Sequence, residues 1–109
     1  MISPTPKPPY HVVIFTSVRT GGDEAAYGEM AGRMMALAAQ QPGYLGVEHA
    51  GDGAGSLTLS YWESERAIAD WKRHTDHLVA QGLGRSDWYA RFKVRVAKVE
   101  RDYGFEREG

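Results

Sequence analysis

Residues 10–18, YHVVIFTSV, make a strand with no polar side. β-branched and aromatic side chains dominate the stretch and favour extended backbone. Side chains on a strand alternate between faces, so Val12 and Ile14 share one side and Val13 and Phe15 the other. Both sides therefore need cover. The rest of the chain must supply it, and this requirement limits the possible architectures more than any other feature.

The RTGG turn at 19–22 leads into a helix that Asp23 caps, with Glu24 in its first turn. Tyr27, Met30, Ala31, Met34, Leu37 and Ala38 recur at helical spacing, and the methionines read as core filler. Gln40, Gln41, Pro42 and Gly43 end the helix. YLGVEHA (44–50) and SLTLSYW (56–62) are short strands joined by a flexible GDGAG loop. In the second of them Leu57, Leu59 and Tyr61 share one face, and Thr58, Ser60 and Trp62 the other. Trp62 reads as a subunit contact. Ser64 caps a second helix with the apolar stripe Ile68, Trp71, Thr75, Leu78 and Val79, closed by Gly82 and Gly84. An extra turn is expected at Arg85–Trp88. A last strand runs over 90–99, where Phe92, Val94 and Val96 alternate with Arg91, Lys93 and Arg95.

The flanks differ in character. Residues 1–9, MISPTPKPP, hold four of the five prolines and read as an extended arm, loose or laid over a partner subunit. Residues 10–103 form one domain, and 104–109 are a tail able to reach a neighbour.

The order β-α-β-β-α-β predicts an α+β, ferredoxin-like fold: a four-stranded antiparallel sheet with both helices on one face. Two helices cover only one side of such a sheet, yet the first strand is apolar on both. A second copy packed face to face completes the cover, so a homodimer enclosing an α+β barrel is expected.

At 42% hydrophobic and 25% charged residues, the chain has the composition of a folded globular domain. A net charge of −1 without a basic stripe argues against nucleic acid. The absence of cysteine removes disulfides, thiolate nucleophiles and cysteine metal sites. No membrane span or signal peptide is read, so a cytoplasmic location is expected.

The segment LSYWESERAIADW (59–71), with Trp62, Ser64, Glu65, Ala67 and Trp71 across a strand-to-helix junction, resembles the antibiotic biosynthesis monooxygenase family of dimeric α+β barrels. The element order matches over residues 10–103, and WYARFKVRVAKVERDYGF looks like a subgroup of small uncharacterised members. This resemblance implies one of three things: cofactor-free oxygenation of an aromatic compound with O₂, cleavage of heme as both substrate and cofactor, or no catalysis, as in a binding or stress-response barrel. Heme-cleaving relatives use an asparagine on the first strand, a tryptophan on the second helix and an iron-ligating histidine about ten residues later. Trp71 matches the tryptophan. The other two positions fall at Ile14 or Phe15 and at Gln81, and the chain contains no asparagine. Glutamine is a poor iron ligand beside imidazole.

His74 stands seven residues before Gln81, and at about 100° per residue projects within about 20° of the same direction. His74 and His77 are therefore the candidates for a base, with Trp71 beside them. Asp70, one turn earlier, is placed to hydrogen-bond His74. His74 and His77 at i,i+3 lack a clear third ligand, so no metal is expected. Phe15, Tyr61, Trp71 and Trp88 are expected to converge on an aromatic pocket for a flat substrate, with Arg95, beside Arg91 and Lys93, supplying a cation for a developing enolate. The expectation is a monooxygenase of an aromatic or quinol-like compound without a cofactor, with heme as the alternative.

Overall fold

A computed structural model of the protein describes residues 1–80 and 88–108. Gln81, Gly82, Gly84 and the start of the turn expected at Arg85–Trp88 lie outside the described residues. The elements are β1 (Tyr10–Arg19), α1 (Glu24–Ala38), β2 (Tyr44–Gly51), β3 (Gly55–Trp62), α2 (Glu65–Ala80) and β4 (Tyr89–Val99). The four strands form one antiparallel sheet in the order β2-β3-β1-β4. This is the ferredoxin-like arrangement expected from the sequence. β4 begins one residue early, because Tyr89 pairs with Arg19 across an irregularity in the ladder.

Both caps form as their residue types dictate. The Asp23 carboxylate accepts from the Ala26 amide at 3.0 Å, and Ser64 Oγ accepts from the Ala67 amide at 3.1 Å. Gly43, just before β2, has a φ of 87°, and a Cβ there would stand 2.6 Å from Ala67 Cβ. Only glycine fits both the backbone and the space.

Trp62 is fully buried at the centre of the core, with Ala38 of α1 and Ala67 of α2 against it. Small residues let both helices approach the indole closely. Val13, Tyr44, Ile68 and Trp71 complete the cluster. Trp62 is thus a core residue and not the subunit contact expected from its strand position. Its parity puts it on the helix side, and its indole N–H donates to Ser60 Oγ at 2.9 Å on that side.

The face without helices is covered over one half by the ends of this same chain. The Ser3 amide donates to Glu48 Oε2 at 2.9 Å, Thr5 Oγ1 donates to the Tyr10 hydroxyl at 3.1 Å, and that hydroxyl donates to Asp102. Tyr10 and Val12 are buried beneath these segments. Gly46 makes the crossing possible, since a Cβ there would collide with Ser3 Oγ. The arm therefore lies on its own sheet. Along the other half Val18 and Leu57 remain exposed. No helix among the described residues is long and apolar enough to cross a membrane.

Candidate functional site

The register fixes which side chains meet the helices. Val13 pairs with Ser60 and Val96, Phe15 with Thr58 and Val94, and Ser17 with Ser56 and Phe92. All share the face that carries Trp62. Along this face the sheet is aromatic and aliphatic toward β4 and hydroxylated toward β2. Ser17 and Ser56 hydrogen-bond at 3.1 Å, and His49 Nδ1 lies 2.7 Å from Thr58 Oγ1. Phe92, Val94 and Val96 are each about half exposed, so the β4 side of this space is the open one among the described residues.

Two aromatic groups stand on this face. In the first, α2 lays Trp71 over Trp62 with ring centroids 6.1 Å apart and planes at 25°. The His74 ring lies 5.6 Å from the Trp71 ring at 31°. Trp71 and His74 are both half-buried. In the second, Phe15 stacks on Phe92 at 5.5 Å and meets the edge of Tyr89 at 5.6 Å. Tyr27 of α1 contacts Tyr89 at 5.8 Å and Trp88 at 5.9 Å. The Tyr89 hydroxyl donates to the Tyr27 hydroxyl at 3.4 Å. Burial, followed by this bond to Tyr27, raises the Tyr89 phenol well above the ordinary value.

The expected pocket is therefore divided. Phe15, Trp71, Trp88 and His74 belong to the helix side. Tyr61 does not join them, because alternation from Trp62 turns it to the opposite face, where its hydroxyl donates to Glu48 Oε1 at 2.7 Å. The same rule turns Arg95, with Arg91 and Lys93, away from the helices, since Arg95 pairs with Ile14. His77 is exposed on α2. The Asp70 carboxylate is taken by Arg73, one turn on, rather than by His74, so it does not orient that ring.

A cation does stand on the helix side, at a residue the sequence reading passed over. Arg19 has a side chain 9% exposed and pairs with Glu24 at 3.3 Å. Its Nη2 donates to the Asp52 carbonyl at 2.7 Å, and its guanidinium lies 4.4 Å from the Tyr27 ring centroid. The available signal was parity, because Arg19 follows Val13, Phe15 and Ser17 at steps of two. Tyr27 falls in the helical apolar pattern and Tyr89 just ahead of the strand expected over 90–99, and nothing local shows that their hydroxyls meet.

On the helix side β1 presents the phenyl ring of Phe15 at the position where the resemblance to heme-cleaving relatives implies an asparagine, and Ile14 faces away. Gln81 lies outside the described residues.

The sheet order and the two helices on one face define a ferredoxin-like α+β protein, with aromatic side chains and a histidine between helices and sheet. The profile of the antibiotic biosynthesis monooxygenase family matches residues 9–83, and the chain belongs to that family. It is 52% identical over 107 residues to the uncharacterized protein YqjZ of Bacillus subtilis (strain 168), covering 96% of this chain and 92% of that one. Among solved structures it is similar to SnoaB, a cofactor-independent oxygenase from Streptomyces nogalater, with a TM-score of 0.67 at 15% identity over 86% of this chain and 95% of that one. A dimeric ferredoxin-like protein of unknown function from Thermobifida fusca YX gives 0.67 at 10% identity, over 91% of this chain and 100% of that one. At such identities the likeness is one of fold.

Proposed function

We propose that this chain is a homodimeric, cofactor-independent monooxygenase that oxidises an aromatic or quinol-like compound with O₂. The observation that carries the reading is His74, half-buried against Trp71 on the aromatic helix side of the sheet. The fold shared with a cofactor-independent oxygenase supports it, as does the dimeric neighbour for the assembly.

The chemistry asks little of the protein. A neutral imidazole at His74 takes the proton of a phenolic or enolic hydroxyl. The Trp71 and Phe15 rings hold the flat anion and keep water from it. The electron-rich anion passes one electron to O₂, and the resulting radical pair combines into a peroxide at a ring carbon. The imidazolium returns its proton to the peroxide; cleavage of the O–O bond with loss of the proton on that ring carbon then releases water and leaves a carbonyl, so one oxygen atom enters the product and the other leaves as water.

Oxygen consumption against a panel of hydroxylated aromatics and quinols tests the reading. Turnover is expected with at least one of them, and His74→Ala is expected to lower it by roughly 10²–10⁴-fold with dimer and fold intact. Unchanged turnover in that variant removes His74 from the mechanism. Silence across the panel removes the oxygenase reading and leaves a non-catalytic binding barrel.

A further inference from the structure

His74 on α2 and Tyr27 on α1 stand at nearly the same height along the molecule. Ala38 of α1 and Ala67 of α2 both pack against Trp62, which gives the two helices a common level. α1 follows β1, α2 follows β3, and those strands are antiparallel, so the helices run in opposite directions. From the common level, His74 lies seven residues on along α2 and Tyr27 eleven residues back along α1. At about 1.5 Å per residue these are roughly 10 Å and roughly 16 Å in one direction, a difference of about one helical turn. Phe15 supplies the sheet floor nearby. It is two residues beyond Val13 of the Trp62 cluster, and its ring meets Tyr89 at 5.6 Å. Val94, its ladder partner, and Phe92, stacked on it, are about half exposed, so this floor is reached from the β4 edge.

The Tyr27 end is arranged to donate. A phenol oxygen has one proton to give and two lone pairs to receive with. The Tyr89 hydroxyl spends its proton on the Tyr27 oxygen, at 3.4 Å. Burial, and then this bond, hold the Tyr89 phenol above its ordinary value, so it stays protonated at neutral pH and stays a donor. Tyr27 therefore keeps its own proton, and no described residue accepts it. The Arg19 side chain is nine-tenths buried, and its guanidinium lies 4.4 Å from the Tyr27 ring centroid. Glu24 and the Asp52 carbonyl fix that guanidinium from the other side. A cation over the ring and a donor on the oxygen both draw charge from the Tyr27 hydroxyl, which strengthens it as a donor. Tyr27 itself is half-buried, so its ring is held while its hydroxyl stays within reach of a ligand.

We infer that Tyr27 donates a hydrogen bond to a second oxygen of the substrate, at the end of the ring away from the hydroxyl that His74 deprotonates, and that Arg19 positions the Tyr27 ring for it. The inference rests on the oxygenase reading above and adds to it the far contact. The substrate then lies on Phe15 with one oxygen toward α2 and the other toward α1. That contact fixes which end of a flat ring meets the base, a choice that aromatic stacking alone leaves open. A ring without the far oxygen leaves the Tyr27 proton without its ligand acceptor, so the site discriminates between rings of equal apolar area.

Anaerobic calorimetric titration with 1,4-naphthalenediol and with 1-naphthol tests this, because the two probes differ only in the far hydroxyl. The wild-type protein is expected to bind the diol about tenfold more tightly, as one added hydrogen bond gives. A preference of about twofold or less, which the two equivalent ends of the diol supply by themselves, overturns the inference. Tyr27→Phe keeps the ring beneath Arg19 and removes only the hydroxyl. It is expected to bring the diol close to the affinity of 1-naphthol and to leave 1-naphthol unchanged. A Tyr27→Phe protein that keeps the preference overturns the contact. Arg19→Met is expected to shrink the preference, and Arg19→Lys to recover part of it. Equal losses for both probes make Arg19 a structural residue and remove it from the inference. Binding of neither probe removes the aromatic site and this contact together. A preference that Tyr27→Phe abolishes, in a protein that consumes no oxygen with any aromatic, upholds the contact and removes the oxygenase reading alone.

Discussion

Trp71 lies over Trp62 with their planes 25° apart, yet the two rings have different neighbours. Trp62 is sealed among Ala38, Ala67, Tyr44 and Val13. Trp71 gives one face to Trp62, lies beside His74 and stays half-buried. With the proposed function, stability and ligand contact divide between these adjacent indoles.

That division predicts opposite phenotypes. Trp62→Ala empties a fully buried site and is expected to cost about 3–5 kcal/mol, enough to unfold a marginal domain. Trp71→Ala removes a ring already partly in water, so its cost is expected to be clearly smaller, with loss of aromatic ligand binding in a folded protein. Urea unfolding and quenching of tryptophan fluorescence by a ligand found in the oxygen-uptake panel separate the two. Equal losses of stability contradict the division.

Hemin at micromolar concentration is expected to show no protein-dependent Soret shift. The helix side of β1 offers Phe15 and no polar group at the position that heme-cleaving relatives fill with asparagine. A shifted Soret band that His74→Ala abolishes overturns this expectation and makes His74 an iron ligand.

The fold was legible because its signals are local. Strand alternation, the caps at Asp23 and Ser64, and the order of elements each follow from a few neighbouring residues. The site was legible only in part. Parity within β3 sets Tyr61 and Trp62 on opposite faces, but which face meets the helices depends on Trp62 packing against Ala67 and against Ala38, the latter far off in the sequence. Once that is known, Tyr61 and Arg95 leave the helix side and Arg19 enters it. The hydroxyl contact of Tyr27 with Tyr89 spans 62 positions, and no pattern in either segment announces it. The arm's place on its own sheet has no such signal, because proline content speaks of backbone stiffness and not of where a stiff segment lies.

Gly46 tests the placement of the arm. Gly46→Ala sets a methyl group where Ser3 Oγ now sits, so the arm must lift or the strand must shift. The expected cost is about 1–3 kcal/mol, with faster proteolysis within residues 1–9. Combining it with Ser3→Gly removes the colliding side chain and is expected to restore most of both. A Gly46→Ala protein with wild-type stability and arm protection shows that the arm does not cross there.

Acid should release the same arm. The Ser3 amide, and then the Tyr61 hydroxyl, hold the Glu48 carboxyl below its ordinary value of 4.5. A depressed folded value means that the ionised form stabilises the fold, fully so above the unfolded value. That contribution is lost as pH falls through the lower folded value. The Ser3 amide resonance is expected to titrate with a midpoint below 4.5, and the arm to gain proteolytic sensitivity over the same interval. Glu48→Gln offers one acceptor oxygen to two donors, so it is expected to loosen the arm already at neutral pH and to abolish the acid step. A midpoint at or above 4.5 means that the two hydrogen bonds do not persist in solution, and that the arm is held by other contacts.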